Sequence, residues 1–178
     1  MVTMGGHFCL HCGTAMTTQL IEDRELEVCP DCGFVHWRDP KVVTMVVVED
    51  AQGGVVVGRR ATTPGYGLWC LPGGYVNDDE HPALAARREC REEILAEVEI
   101  TGLIDIYHIP TQSDQSNPAM LALAYSGRLL AADFGAGPEM LEVRSFAPST
   151  LPELVFWSHA QALRDWLSHP KANNLERT

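Results

Sequence analysis

Three glutamates near the middle of the chain are spaced so that they can share one face of a helix. Pro82 favours the first turn of a helix that we expect to continue to about Leu95. At 100° per residue, Glu92 and Glu93 lie at about 300° and about 40° from Glu89, so the three carboxylates project from the same side. Oxygen ligands select hard divalent cations, so this spacing predicts a site for Mg2+ or Mn2+.

The same glutamates can also be read as a solvated acidic face, because charge runs on helices usually face water. Neighbouring arginines that could pair with them are Arg87, Arg88 and Arg91. Like charges three or four positions apart repel by roughly 0.2–0.5 kcal/mol, which a cation among them would offset. The preceding Leu71-Pro72-Gly73-Gly74 favours the metal interpretation, because glycines allow a tight turn that exposes a backbone carbonyl oxygen.

Four cysteines near the start of the chain form two Cys-x-x-Cys pairs that are separated by 16 residues: Cys9, Cys12, Cys29 and Cys32. Two such pairs can enclose one Zn2+ with four thiolates in a tetrahedron. Four cysteines leave no open coordination position, so we expect a structural rather than a catalytic zinc. A redox dithiol would not account for two pairs.

The elements that must hold these groups follow from the hydrophobic pattern. Strands are expected at residues 42–48, 55–57, 98–109, 120–125 and 142–146, with shorter extended pieces at 68–71 and 75–76. Loops are expected at 59–67 and 114–118, and a closing helix at 159–167. Strands before and after one central helix indicate an α+β fold with a mixed sheet.

Composition limits the class of protein. The chain has 178 residues, of which 46% are hydrophobic, enough for one core and a small appendage. A formal net charge of -11 argues against general nucleic-acid binding. No apolar run approaches the roughly 20 residues that span a bilayer, and the first ten residues lack a signal-peptide pattern. Four of the six cysteines are paired, and Cys70 and Cys90 lie far apart within apolar sequence patterns, which fits the reducing cytoplasm.

The helix and its preceding loop resemble the Nudix box, G-x5-E-x7-R-E-U-x-E-E-x-G-U, in which U is a bulky apolar residue. Gly74, Glu80 and residues 88–93 match its leading glycine and its charged positions. Leu95 and Ala96 depart from the box, where the family has glycine and a bulkier apolar residue. Because that glycine normally lets the helix end tightly, the resemblance does not define how this helix ends.

The resemblance covers about residues 7–168, since residues 29–41 and 67–74 are also similar to zinc-ribbon Nudix enzymes. It implies a zinc ribbon at 1–38 and a Nudix α/β/α sandwich at 39–168. The polar composition of residues 169–178 indicates a flexible tail. The resemblance further implies a homodimer that hydrolyses a small nucleotide, namely a nucleoside diphosphate linked to another moiety.

The family's pattern also implies roles for the matching residues. The expected ligands of the catalytic metal are Glu89, Glu92, Glu93 and the Gly74 carbonyl oxygen. Arg88 would orient a glutamate through a salt bridge, and Glu80 would support the junction between loop and helix. Bound metal ions would bridge phosphate oxygens, activate the attacking water and offset the developing charge.

The general base of this family often lies on a later loop, which makes Glu139 and Glu142 candidates. Both can also be plain surface carboxylates. Arg59 and Arg60 can reach a phosphate or form a solvated pair. Trp69 can stack on a base or belong to the core.

Substrate choice is suggested by the segment after the box. Pro110, in an Ile-Pro pair, resembles a feature of the ADP-ribose and FAD group, although a proline can simply end a strand. The Ser-Gln-Pro-Trp-Pro-Phe-Pro motif of the NADH-cleaving branch is absent from residues 106–113. We therefore expect ADP-ribose first, FAD second, and NADH or other dinucleotides third. A non-catalytic nucleotide-sensing regulator is the alternative of another class, but it would typically have lost the box carboxylates.

Overall fold

The computed structural model divides into two compact units, Met1–Pro40 and Lys41–Thr178. It describes residues 7–111 and 118–168. The expected tail at 169–178, and most of the expected loop at 114–118, lie outside the described residues. None of the helices in the described ranges is long and apolar enough to cross a membrane.

The first unit contains a three-stranded antiparallel sheet in the order β1-β2-β3. Its strands are β1 (Thr17–Ile21), β2 (Arg24–Val28) and β3 (Val35–His36). The β1–β2 hairpin turns at Glu22 and Asp23, which both have positive φ, as a two-residue turn that follows the strand twist requires. β3 then returns along β2, with His36 opposite Glu27.

The second unit is built on a six-stranded mixed sheet. Its strands are β4 (Lys41–Glu49), β5 (Val55–Arg60), β6 (Trp69–Cys70), β7 (Val98–Ile109), β8 (Met120–Leu129) and β9 (Met140–Phe146). The order is β6-β5-β4-β8-β7, and β9 pairs with β5. The β4–β8 pair is parallel and the other pairs are antiparallel.

One helix covers each face of this sheet, which explains the uninterrupted apolar run in β4. Met45 and Val47 belong to a core cluster that includes residues of α2 (Trp157–Ser168). Val46 and Val48 point the other way, into a cluster with α1 (Pro82–Ile94). Successive side chains of a strand alternate between faces, so a strand that is covered on both sides must be apolar throughout.

α1 begins and ends with identifiable caps. The His81 Nδ1 atom accepts a hydrogen bond from the Ala83 N–H, and Pro82 occupies the first turn. The helix ends at Leu95, which adopts the left-handed conformation (φ 50°, ψ 36°) and donates its N–H to the Cys90 carbonyl. Leu95 therefore takes the backbone conformation in which glycine is favoured, at a cost of roughly 1–2 kcal/mol for a residue with a side chain.

Several element boundaries differ from the sequence prediction. β5 continues to Arg60, so Arg59 and Arg60 are strand residues rather than the start of a loop. The reason is non-local, because β9 pairs along β5 as far as Arg60 and Met140. β8 extends to Leu129, paired along its length with β7. The expected extended piece at 75–76 makes only one isolated bridge, between Tyr75 and Val43.

Candidate active site

The loop that leads into α1 lies directly on β4. The Thr44 N–H donates to the Gly74 carbonyl at 2.8 Å, and the Val46 N–H donates to the Pro72 carbonyl at 2.9 Å. A Cβ atom on Gly73 would lie 2.1 Å from the Thr44 carbonyl oxygen, and one on Gly74 would lie 2.6 Å from Cδ of Glu89. The backbone contact excludes a side chain at Gly73, and a Cβ at Gly74 would displace the Glu89 carboxylate. The two glycines therefore let the backbone approach both the sheet and the first helix carboxylate.

Arg88 joins the loop to the helix through a fork of hydrogen bonds. Its Nη2 and Nε atoms donate to the two carboxylate oxygens of Glu80 at 2.8 and 3.2 Å. Nη1 donates to Glu89 at 2.6 Å and to Glu92 at 3.2 Å, while Nη2 also reaches the Tyr75 carbonyl at 2.9 Å. Bidentate pairing of this kind fixes geometry as well as charge. The Arg88 hydrogen bond holds the pKa of Glu80 below its usual value.

The three helix glutamates occupy different environments. Glu93 is 4% exposed, and its Oε2 accepts a hydrogen bond from the Gly73 N–H at 2.8 Å. Burial, together with the charges of Glu89 and Glu139, raises the pKa of Glu93 to about 8. Glu89 is half-buried, and burial raises its pKa against the opposing effect of Arg88. The Glu92 side chain is 58% exposed. The sequence predicted that the three carboxylates share one face of the helix. In the structure Glu89 and Glu93 are partly or fully buried, whereas Glu92 is exposed.

A cavity of about 600 Å3 opens beside this loop, within the usual range of roughly 300–1,000 Å3 for small-molecule sites. Its polar lining includes Thr44, Arg60, Arg88, Glu89, Glu93 and Glu139. Its apolar lining includes Ile109, Pro110, Phe156 and Trp157. The cavity thus combines a carboxylate-rich floor with an aromatic and aliphatic wall.

Glu139 reaches this cavity because its loop is docked on the end of α1. The Gly137 N–H donates to the Glu93 carbonyl at 2.9 Å. A Cβ on Gly137 would lie 1.8 Å from the Glu92 carbonyl oxygen, so this contact also requires glycine. Two residues later, Glu139 is exposed and lines the cavity together with Glu89 and Glu93.

The cavity fits a divalent cation chemically. Three carboxylates line it, and the burial of Glu93 and partial burial of Glu89 are costly unless a cation pairs with these charges. The hydroxyl oxygen of Thr44 is buried and has no hydrogen-bond partner in the part of the chain that the structure describes. A donor set made of oxygen alone suits Mg2+ or Mn2+. The Gly74 carbonyl already accepts one hydrogen bond, which leaves it a second lone pair.

The remaining candidates from the sequence are divided between the cavity and its surroundings. Arg60 and Pro110 line the cavity, and the Arg60 guanidinium lies 5.3 Å from the centre of the Phe156 ring. Three other candidates do not line it. Arg59 bonds the Gly67 carbonyl, Glu142 forms ion pairs with Arg59 and Arg144, and Trp69 packs edge-on against Phe146.

The lining also includes residues that the sequence did not indicate, among them Thr44, Phe156, Trp157 and His159. The His159 Nδ1 atom accepts a hydrogen bond from the Leu71 N–H at 3.1 Å, which ties α2 to the glycine loop. Burial lowers the pKa of His159 to about 3, so its ring stays neutral. The Phe156-Trp157 pair at the start of α2 was the available clue, but only the fold brings it to the same cavity as the carboxylates.

In the first unit the four paired cysteines converge. Their sulfur atoms lie 3.6 Å (Cys9–Cys32), 3.4 Å (Cys12–Cys29) and 3.7 Å (Cys12–Cys32) apart. A tetrahedral zinc with bonds of about 2.3 Å requires sulfur separations of about 3.8 Å. Backbone N–H groups of His11 and Cys32 point at the Cys9 and Cys29 sulfurs at 3.4 and 3.5 Å. The cluster therefore has the donors and spacing of a four-cysteine metal site.

Comparison with known proteins agrees with this geometry. The NUDIX domain family matches residues 39–167. An ADP-ribose pyrophosphatase from Methanocaldococcus jannaschii is 24% identical over 155 residues, which cover 87% of this chain and 86% of that protein. The crystal structure of an ADP-ribose pyrophosphatase from Streptococcus suis shares the fold, with a TM-score of 0.56 and 20% identity over 75% of this chain and 96% of that one.

A stronger structural match is the crystal structure of a NUDIX hydrolase from Nitrosomonas europaea. It has a TM-score of 0.79 and 31% identity, and the match covers 88% of each chain. This confirms the expected α+β fold with its mixed sheet. Since the family match spans most of the chain and this relative matches nearly all of it, the chain belongs to the Nudix family and is a Nudix hydrolase.

Proposed function

We propose that this protein is a Mg2+- or Mn2+-dependent pyrophosphohydrolase that cleaves ADP-ribose to AMP and ribose 5-phosphate. The observation that carries the proposal is the buried Glu93, set beside Glu89 in a cavity that also has an apolar wall. The ADP-ribose pyrophosphatase from M. jannaschii, similar over most of both chains, supports the choice of substrate.

Glu89 and Glu93 would hold the cation, with Glu92 at the exposed edge and the Gly74 carbonyl oxygen as a further donor. When bound, such a cation would activate the attacking water and offset the negative charge that develops on the phosphates. Arg88 keeps the Glu89 carboxylate in one orientation, because its Nη1 atom donates to a Glu89 oxygen at 2.6 Å. The guanidinium is itself fixed, because its Nη2 atom donates to Glu80. Arg88 is thus a positioning residue.

Glu139 would take the proton from the attacking water. The water oxygen forms a bond to one phosphorus, the bridging P–O bond breaks, and the departing phosphate carries away the negative charge. Glu139 lines the cavity with the two ligand carboxylates, whereas Glu142 is paired with Arg59 and Arg144. An ion-paired carboxylate is a weaker base, which favours Glu139.

Arg60 would bind the diphosphate. Its Nε and Nη2 atoms donate to the Pro64 carbonyl and the Thr62 hydroxyl, which uses two of the five N–H donors of a guanidinium. These two bonds hold the side chain in place at the cavity. The remaining donors can meet phosphate oxygens in the planar geometry that arginine favours.

The nucleoside would lie against the apolar wall. Trp157 is 54% exposed and contacts Tyr107 edge-on, so one side of its indole can accept a stacked ring. Pro110 and Ile109, at the end of β7, line the same cavity. These residues favour a substrate that has an aromatic base at one end and a diphosphate in the middle.

The four cysteines of the first unit would hold one structural Zn2+. The unit is small, so a bound metal would contribute to its folding rather than to catalysis. A homodimer, expected from the family, stays a prediction that light scattering of the purified chain can test.

The proposed function is tested by assaying AMP release with and without Mg2+ from ADP-ribose, FAD and NADH. We expect Mg2+-dependent release, fastest from ADP-ribose and slower from FAD. Glu93→Gln should abolish release, whereas Glu99→Gln, which removes a surface carboxylate paired with Arg128, should retain it. Faster AMP release from FAD or NADH than from ADP-ribose would contradict the proposal that ADP-ribose is the substrate. Nucleotide binding without turnover of any of the three would indicate a sensing role instead.

A further inference from the structure

A second group of metal-ligating side chains lies in the first unit, apart from the cysteines. The Nδ1 atoms of His7 and His36 lie 2.7 and 3.1 Å from the same carboxylate oxygen, Oε2 of Glu27. All three ligand atoms lie within 4.8 Å of one another. Among the described residues of the whole chain, only the four cysteines and this triad bring three or more such ligands together in that way.

The sheet holds the triad in place through backbone pairing. Glu27 on β2 and His36 on β3 are direct cross-strand partners, so their side chains project from the same face. His7 comes from a different part of the chain, where its carbonyl accepts the Met16 N–H at 2.9 Å and Phe8 bridges to Ala15. Three separate segments thus present their ligand atoms at one point.

We propose that His7, Glu27 and His36 form a second metal site, which binds one divalent transition-metal ion of the zinc class. Two imidazole nitrogens and one carboxylate oxygen are ligands that suit Zn2+, and hard ions such as Mg2+ have little affinity for imidazole. With bonds of about 2.0–2.1 Å, a tetrahedral ion requires ligand separations of about 3.3 Å. The observed 2.7 and 3.1 Å need only a small outward movement of the two rings.

The site differs from the cysteine cluster in a way that can be measured. Three protein ligands leave a fourth position for water, and the two histidine side chains are well exposed. The ion should therefore exchange readily and bind more weakly than zinc in the closed four-cysteine site. Ion pairs between Glu27 and the two histidines would contribute little to holding the three side chains together, because an exposed ion pair stabilises a protein by only about 0–1 kcal/mol.

The test is the zinc stoichiometry of the full chain, purified with its cysteine site filled and kept in excess Mg2+ so that the Nudix carboxylates do not take up zinc. On titration with Zn2+ against a weak chelator, the wild-type chain should bind one further equivalent. His36→Ala and Glu27→Gln should lose that equivalent and retain the first. His11→Ala is the matched control, because His11 is exposed in the same unit but packs on Phe34. It should bind both equivalents.

Imidazole NMR of the wild-type chain provides a second measurement that does not depend on any variant. The added equivalent should shift the ring resonances of His7 and His36 and leave those of His11 in place. The proposal is overturned if the wild-type chain takes up no further zinc. It is equally overturned if the extra equivalent persists without His36 and Glu27, or if the His7 and His36 rings do not respond.

Discussion

The backbone N–H of Gly73 donates a 2.8 Å hydrogen bond to Oε2 of Glu93, a carboxylate that is almost completely buried. This bond joins the glycine loop to the last turn of α1, twenty residues later in the chain. One backbone donor does not compensate for burying a charged carboxylate, which is why burial still raises the pKa of Glu93 to about 8. Without a cation, the proposed site therefore lowers the stability of the fold that contains it.

Replacing this buried charge should separate stability from activity. Folded Glu93 has a raised pKa, so its contribution to stability is largest below about pH 4.5 and is lost as the pH rises through about 8. Glu93→Gln keeps an oxygen that can accept the Gly73 N–H but cannot ionise. In Mg2+-free buffer at pH 9 the variant should be more stable by roughly 1–2 kcal/mol in urea unfolding, and it should hydrolyse no substrate. Equal or lower stability would contradict this account of Glu93.

The two candidate bases can be separated by a matched pair of variants. Glu139→Gln should reduce kcat by roughly 10²–10⁴-fold, the usual contribution of a general base, with little change in KM. Glu142→Gln should change kcat by no more than a few fold, since Glu142 is already paired with two arginines. Steady-state kinetics with ADP-ribose at several pH values provides the comparison. The opposite ranking of the two variants would assign the base to Glu142.

The departure from the box at Leu95 should be measurable as stored strain. Leu95→Gly removes the side chain from a left-handed residue, and that side chain is largely exposed, so little apolar burial is lost. Because glycine is also more flexible in the unfolded chain, part of this gain is lost. We expect the free energy of unfolding to rise by up to about 1 kcal/mol, measured by thermal or urea unfolding. Leu84→Gly is the control, because Leu84 is an exposed leucine within the same helix. The free energy of unfolding of the Leu84→Gly variant should fall by about 1 kcal/mol.

Acid should destabilise the second unit partly through His159. The folded pKa of this ring is about 3, against about 6.5 in an unfolded chain. Between these values the unfolded chain binds a proton that the folded protein does not, so stability falls as the pH drops below about 6.5. For this one group, the free energy of unfolding falls by at most about 1.4 kcal/mol per pH unit.

The variant that tests this is His159→Asn, whose side-chain oxygen can still accept the Leu71 N–H. It should be less stable than the wild type at pH 7.5, because its contact with Phe156 is lost. Between pH 7.5 and 5 it should nevertheless lose less stability than the wild type in urea unfolding. Parallel pH dependences of the two proteins would show that His159 does not titrate as described.

Much of the architecture could be predicted from local patterns. The continuous apolar run of β4, the proline at the start of α1 and the paired cysteines each act over a few residues, and the structure has the expected element at each place. The predicted ends of strands were less accurate where they depend on pairing with a strand distant in sequence. β5 runs on through Arg59 and Arg60 only because β9, some eighty residues later, pairs with it.

By itself, the sequence determined which residues are available for chemistry, because the box and the cysteine pairs are sets of short spacings along the chain. Tertiary structure alone decided how each is used. Glu92 and Glu93 are neighbours on one helix, yet one is exposed and the other buried, because the glycine loop covers only Glu93. Likewise Glu139, not Glu142, lines the cavity, and Trp157 lines it where Trp69 does not. Burial and its effect on charge depend on contacts between distant segments, which no local spacing specifies.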